Sequence, residues 1–133
     1  MDEQLSPDQL REFGQILRSR HTELREQIRQ VLLESDDERF QAVAGQVHDD
    51  GEASVVDLVA DLNFSRVDNL IKEISAVEHA LERLRQGDYD ICVDCGNVIP
   101  DKRLKARPTA IRCITCQEKN EREYGGLPRR STL

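Results

Sequence analysis

The chain's four cysteines are Cys92, Cys95, Cys113 and Cys116, two C-x2-C pairs with 17 residues between them. At that spacing each pair forms a tight knuckle that turns two thiolates toward one cation, and Gly96, just after the second cysteine, helps the backbone turn back. Two such pairs read as one tetrahedral four-thiolate site for a single structural Zn2+ ion. A redox C-x-x-C reading lacks its βαβ context. Disulfides are disfavoured in a reducing compartment, and the acidic start Met1-Asp2-Glu3 is unlike a signal peptide, so the chain is placed in the cytoplasm. Four protein thiolates leave no coordination position for water or substrate, which argues against an enzyme. His21, His48 and His79 are read as non-ligands for the same reason.

Two charged groups of residues are the other candidates for chemistry. Between Glu34 and Asp61 there are nine acids against one base, Arg39. As a bland feature this is a solvated turn with some support for a helix start through the dipole. As a functional one it is a set of carboxylates able to perturb a Mg2+ site or engage cationic side chains. Lys102, Arg103, Lys105 and Arg107 form the only dense basic stretch: either a solvated ribbon surface or a contact for an acidic protein rim or an anionic nucleotide.

The elements that must carry these residues are helical. Ser6-Pro7-Asp8-Gln9 combines an N-cap, a first-turn proline and a capping-box glutamine, and Leu10, Phe13, Leu17, Leu24, Ile28 and Val31 then draw one narrow apolar stripe. The stripe fades across 34–39, and Ala42, Val43 and Val47 suggest helix to about His48. Asp49-Asp50-Gly51-Glu52 reads as a turn. A second stripe follows at Val56, Val59, Val67, Leu70, Ile74, Val77, Leu81 and Leu84, heptad-like from Val67, with Asn63 on the same seam and Gly87 as the stop. These stripes predict an antiparallel coiled-coil hairpin over 1–87 with its acidic tip near 49–54. A second helix from Ala53 to Gln86 would be roughly 50 Å long. In this register Leu84 lies opposite Ile16, and the overhang from Leu5 to Phe13 packs on the base. The base is a small four-cysteine zinc finger with a C-terminal helix over 88–124, and 125–133 is a flexible tail. The fold class is therefore mainly α.

The whole chain, 133 residues with a net charge of −7, has room for one such unit, and residues 1–87 carry all the net acidity with 19 acids against 10 bases. Repulsion from phosphates argues against specific DNA binding. No apolar run approaches the ~20 residues a bilayer demands, so no membrane association is expected.

The order of parts, with Gly87-Asp88-Tyr89-Asp90-Ile91-Cys92-Val93-Asp94-Cys95-Gly96, Leu104-Lys105-Ala106-Arg107-Pro108-Thr109-Ala110 and Cys113-Ile114-Thr115-Cys116, resembles the DksA/TraR family of bacterial transcription regulators. The resemblance implies a monomer that binds RNA polymerase directly. It inserts an acidic-tipped coiled coil into the secondary channel and modulates initiation in the stringent response. On the family's D-x-x-D-x-A tip motif, Asp49 matches, Glu52 keeps the charge on a longer side chain, and Ser54 replaces Ala. Arg107 matches a basic residue of the family's ppGpp site, whereas Ala76 and Gln117 stand where Lys is frequent, so ppGpp binding is expected to be weak or absent. Two other readings remain at this point: a zinc-ribbon module that binds nucleic acid directly, and a homodimeric coiled-coil adaptor.

Overall fold

Helix formation starts where the capping signals put it. The Ser6 hydroxyl accepts the Gln9 N–H at 3.1 Å, and the Gln9 side chain accepts the Ser6 N–H at 2.8 Å, so two otherwise orphaned donors satisfy each other's residues. In the computed structural model, which describes residues 4–49, 53–62 and 65–124, helix α1 then runs over Pro7–Leu33. Leu17, Leu24, Ile28 and Leu32 on its inner face are fully buried, each contributing about 1.5–3 kcal/mol through removal of apolar surface from water.

The helix ends in the polar run that follows because short side chains there take over backbone bonding. The Ser35 hydroxyl accepts the Asp37 N–H at 3.0 Å, and the Asp37 carboxylate accepts the Arg39 N–H at 2.8 Å. This reverses the chain, and α2 (Glu38–Asp49) runs back along α1, burying Phe40, Ala44 and Val47. Its last turn is tied down by Arg25, whose guanidinium donates to the Val47 carbonyl. A five-residue helix α3 (Val55–Val59) buries Val55 and Val59, and the chain returns to the end of α1, where Arg66 pairs with Glu34 at 3.1 Å. From there a 3-10 turn (Ser65–Val67) leads into α4 (Asp68–Gln86), antiparallel to α1 and burying Ile74, Val77 and Ala80.

The hairpin is therefore α1 against α4, and two expectations about it need correction. No single helix spans Ala53 to Gln86; α4 is 19 residues, roughly 28 Å, with α3 and the 3-10 turn before it. The acidic segment is also not at the far end. Val47 lies against Arg25, and Ser54 against Glu78 and the neighbouring His21, so the described residues flanking 49–54 sit beside the middle of α1, roughly 14–20 Å short of the Glu34–Arg66 end. The physical reason is the break at 34–37: once the helix stops there, the apolar face of α2 is buried by folding back on α1. Register shifts accordingly, with Leu84 beside Leu10 and Gly14 while Ile16 stays 52% exposed. Asn63, Glu52 and the tail at 125–133 lie outside the described residues.

At the other end the hairpin joins a compact base, and the Leu5-to-Phe13 overhang packs there as expected. The Leu5 N–H donates to the buried Asp90 carboxylate at 2.9 Å, and the Phe13 ring meets that of Tyr89 at 5.5 Å. Tyr89, 1% exposed, donates its hydroxyl to the Pro108 carbonyl at 2.6 Å. Gly87 closes α4 with φ 86°, a left-handed conformation suited to glycine. Beyond it Arg83, 5% exposed, turns its guanidinium into the loop and donates to the carbonyls of Asp88 (2.7 Å), Tyr89 and Ile91. Two short helices complete the base, α5 (Asp101–Ala106), which buries Leu104, and the C-terminal α6 (Ile114–Tyr124).

Replacing Arg83 with Met keeps the volume but removes the donor shared by three carbonyls, of which that of Asp88 keeps the Ile91 N–H and those of Tyr89 and Ile91 lose the guanidinium. A loss of roughly 3 kcal/mol is expected, since each buried group left unpaired costs about 1–3 kcal/mol. Urea denaturation of the metal-loaded protein measures it, and a midpoint equal to that of the wild type would show that the guanidinium contributes nothing.

Candidate metal centre and its surroundings

The cysteine sulfurs are brought together by two turns that the backbone closes by itself. In the first, the Gly96 N–H donates to the Cys92 carbonyl at 3.1 Å and the Cys92 N–H to the Asn97 carbonyl at 2.8 Å, with Gly96 at φ 76°. A single antiparallel bridge, Ile91 to Val98, stiffens this loop. The second pair opens α6, where the Gln117 N–H donates to the Cys113 carbonyl at 2.9 Å. The two halves are held in register by Val93 N–H to the Ile111 carbonyl (2.9 Å) and by Arg112, which pairs with Asp94 at 2.7 Å.

All four Sγ atoms lie within 4.8 Å of one another, and Cys95 and Cys113 are 3.9 Å apart. A tetrahedral zinc with Zn–S bonds near 2.3 Å sets its sulfurs about 3.8 Å apart, so the donor set fits. The proton chemistry agrees. Burial pushes the Cys92 thiol up, but the N–H groups of Cys95, Cys113 and Asp94 converge on its sulfur and bring it down to about 6. Cys116, hydrogen-bonded to Cys113, also somewhat desolvated and facing the other sulfurs, is pushed up to about 12. One thiol of the set therefore ionises readily, and full ionisation of all four calls for a cation between them. The chain holds one structural zinc, with its ligands drawn from both knuckles.

The basic stretch divides by role. Arg103 Nε donates to the Arg112 carbonyl at 2.7 Å and so supports the second knuckle, and Lys105 pairs with Asp101 at 3.0 Å. Lys102 is exposed. Arg107 lines a groove of about 620 Å3 between hairpin and base together with Ile16, Arg20, Lys72, Ala76 and Pro108. Glu23 and Glu73 also border that groove, whereas Gln117 does not and bonds Glu121 instead. Of the acidic-segment residues, Asp49 is the exposed last residue of α2 and Ser54 caps α3.

Sequence reasoning overlooked Arg83, Tyr89, Asp90 and Glu78. Arg83 had a readable signal: it stands one helical turn before the Gly87 stop and continues the buried three-residue steps from Ile74 through Val77 and Ala80. Glu78 had none, because its partners are 23, 24 and 57 positions away.

Replacing Cys113 with Ser should release the metal and loosen the base while leaving α1–α4 helical. Zinc content by elemental analysis and far-UV circular dichroism read the two effects. Wild-type protein purified without zinc and with its four thiols paired as disulfides would overturn the assignment.

Known proteins are similar to this chain. Residues 87–122 match the family described as the prokaryotic dksA/traR C4-type zinc finger. An uncharacterised protein of Aquifex aeolicus is 41% identical over 63 residues, 47% of this chain and 42% of that one. The RNA polymerase-binding transcription factor DksA of Escherichia coli is 28% identical over 128 residues, covering 94% of this chain and 82% of its own. The solved structure of transcription factor DksA2 from Pseudomonas aeruginosa superposes with a TM-score of 0.59 at 26% identity, over 89% of this chain and 87% of that one. With a four-thiolate knuckle pair seated on an antiparallel helical hairpin, the chain carries the dksA/traR C4-type zinc finger at residues 87–122 and is similar over nearly its whole length to DksA proteins.

Proposed function

We propose that this protein is a non-enzymatic cytoplasmic regulator of transcription that acts on RNA polymerase as a monomer, without specific DNA binding. The observation that carries this reading is the alignment over 94% of the chain with a protein named an RNA polymerase-binding transcription factor. The chemistry supports it: a closed thiolate site is structural, and a projecting helical hairpin is a shape made for entering a cleft. Direct binding to duplex DNA fits less well, because two of the four cations in the basic stretch are engaged within the base, Arg103 with a carbonyl and Lys105 with Asp101.

In this reading the hairpin enters the secondary channel of the polymerase, and the carboxylates of the acidic segment, Asp49 and Glu52, act on the catalytic region. The fold-back of α2 modifies the expected geometry: the leading end is the Glu34–Arg66 end, and Asp49 reaches its target from the flank of the rod. The charge still concentrates on the inserted half, where the polymerase would supply cations. The exposed Asp49 carries little of the fold. Asp49→Asn with Glu52→Gln should therefore leave thermal stability unchanged. It should lower the effect on initiation about tenfold while changing polymerase affinity by about twofold, as expected where charge shapes the effect more than the contact area. Wild-type activity of the double variant in a purified initiation assay would remove the acidic segment from the mechanism, and failure of core polymerase to retain the protein would remove the partner.

Arg107 would meet ppGpp at the groove between hairpin and base, and what surrounds it disfavours a polyanion. Ala76 supplies no charge, Glu23 and Glu73 stand on the rim, and Gln117 lies outside the groove, neutral and turned to Glu121. The groove's further cations are Lys72 and Arg20, and Arg20 is paired with Glu73. Titrating ppGpp into a transcription assay, with polymerase lacking its own separate ppGpp site, should change the response less than about twofold, because each missing charge-assisted bond forfeits much of the binding energy. Ala76→Lys with Gln117→Lys should raise it. Strong potentiation of the wild type would show that the two replaced positions do not matter.

A further inference from the structure

The acidic segment is gripped at both ends by residues of the hairpin. On the α2 side, Arg25 of α1 donates to the Val47 carbonyl two residues before Asp49. On the α3 side, Glu78 of α4 is the hub. One carboxylate oxygen accepts the Ser54 hydroxyl at 2.8 Å; the other accepts the Val55 N–H at 2.9 Å and meets His21 Nε2 at 2.8 Å. The Ser54 oxygen in turn accepts the Asp57 N–H at 3.2 Å, which caps α3.

Three features mark this as a built junction and not a chance surface contact. Both anchors come from the central pair of helices and reach across 22 and 24 positions of sequence. The pair is largely withdrawn from water, with the His21 and Glu78 side chains 14% and 19% exposed. Burial pushes the Glu78 carboxyl up, yet the bonds from His21, Ser54 and the Val55 N–H outweigh it and leave it below the ordinary carboxylate value.

We propose that Glu78 is a positioning residue for the acidic segment, acting through the Ser54 hydroxyl and the Val55 N–H, with Arg25 holding the opposite end. Its consequence for transcription rests on the reading of the acidic segment given above. Charge acts at a distance fixed by geometry, so a carboxylate on a tethered segment works only as well as the tether places it. Ser54 supplies two of the bonds at this end: an alanine there offers no hydroxyl to the Glu78 carboxylate and no oxygen to the Asp57 N–H.

Amide hydrogen exchange of the zinc-loaded protein tests the clamp directly. Glu78→Gln and Ser54→Ala should each speed exchange at the Val55 amide and through α3 by at least about tenfold, with Leu24 and Ile28 of α1 unchanged. Both should lower the effect on initiation several-fold at a polymerase affinity within about twofold of wild type. Ser54→Thr, which keeps the hydroxyl and caps a helix nearly as well, should retain both properties. Unchanged exchange at Val55 in both variants overturns the clamp, as does a Ser54→Thr variant that behaves like Ser54→Ala. Faster exchange with wild-type initiation overturns its role in transcription. If Asp49→Asn with Glu52→Gln is silent as well, the fault lies in the reading of the acidic segment, and faster exchange still supports the clamp.

Discussion

Four sulfurs within 4.8 Å of one another cannot all carry charge unless a divalent cation lies between them, and the base of this protein is organised around that constraint. The base has too little apolar material to fold on the hydrophobic effect alone: Tyr89, Cys92, Ile99, Leu104 and Ala110 are its buried set. The metal joins two short turns that neither strand pairing nor a large core would hold. Everything attached to the base inherits its order from that joint. Tyr89 packs on Phe13 three residues before Cys92, and Asp90 binds the start of the chain at Leu5 two residues before it. Loop and hairpin therefore form one mechanical unit.

The hairpin's own constraint is different. Its core is a narrow seam, and the helices are too polar on their outer faces to bury more than one stripe each. Where the helix is interrupted at Ser35 to Asp37, the stripe on α2 has no continuing partner ahead of it, and the apolar faces of Phe40, Ala44 and Val47 turn back onto α1. With Val55 and Val59 filling the remaining side against α4, the distal half of the rod becomes a thicker bundle and the proximal half stays a two-helix pair against the zinc module. The acidic segment is thereby moved from the end of the rod to its flank.

Much of this was legible in residue spacing. The cysteine spacing names the metal and its ligands, the capping box at Ser6 locates the start of α1 to the residue, and Gly87 its counterpart at the end of α4. Periodicity shows which faces are apolar, and it cannot show what they face. Ala42 was grouped with Val43 and Val47 by its apolar character, yet it is exposed and Phe40 and Ala44 are buried, because the partner of α2 is α1 and not α4. A polar run such as 34–38 reads equally as the outer face of a long helix or as its end. The decision falls to two side-chain bonds, from Ser35 and Asp37, that cost the helix little and redirect the chain. Buried charge was the other blind spot: Arg83 and Asp90 look like surface residues until the loop they bind is folded around them.

The departure at Ser54 illustrates how a local change in sequence can be compensated by tertiary structure. Taken alone, a hydroxyl in place of a methyl adds a polar group that must find partners, at a cost of about 1–3 kcal/mol if it is buried without them. Here it finds two, donating to Glu78 and accepting from Asp57, so the same group both starts α3 and fastens it to α4. That fastening suits a chain whose acidic segment lies on a flank. A carboxylate at the tip of a rod is aimed by the rod itself, whereas one on a folded-back arm is aimed only by what holds the arm. The residues that hold this one are Arg25 of α1, which fastens the last turn of α2 at Val47, and Glu78 of α4, which fastens the start of α3 at Ser54 and Val55, so each helix of the hairpin holds one side of the arm.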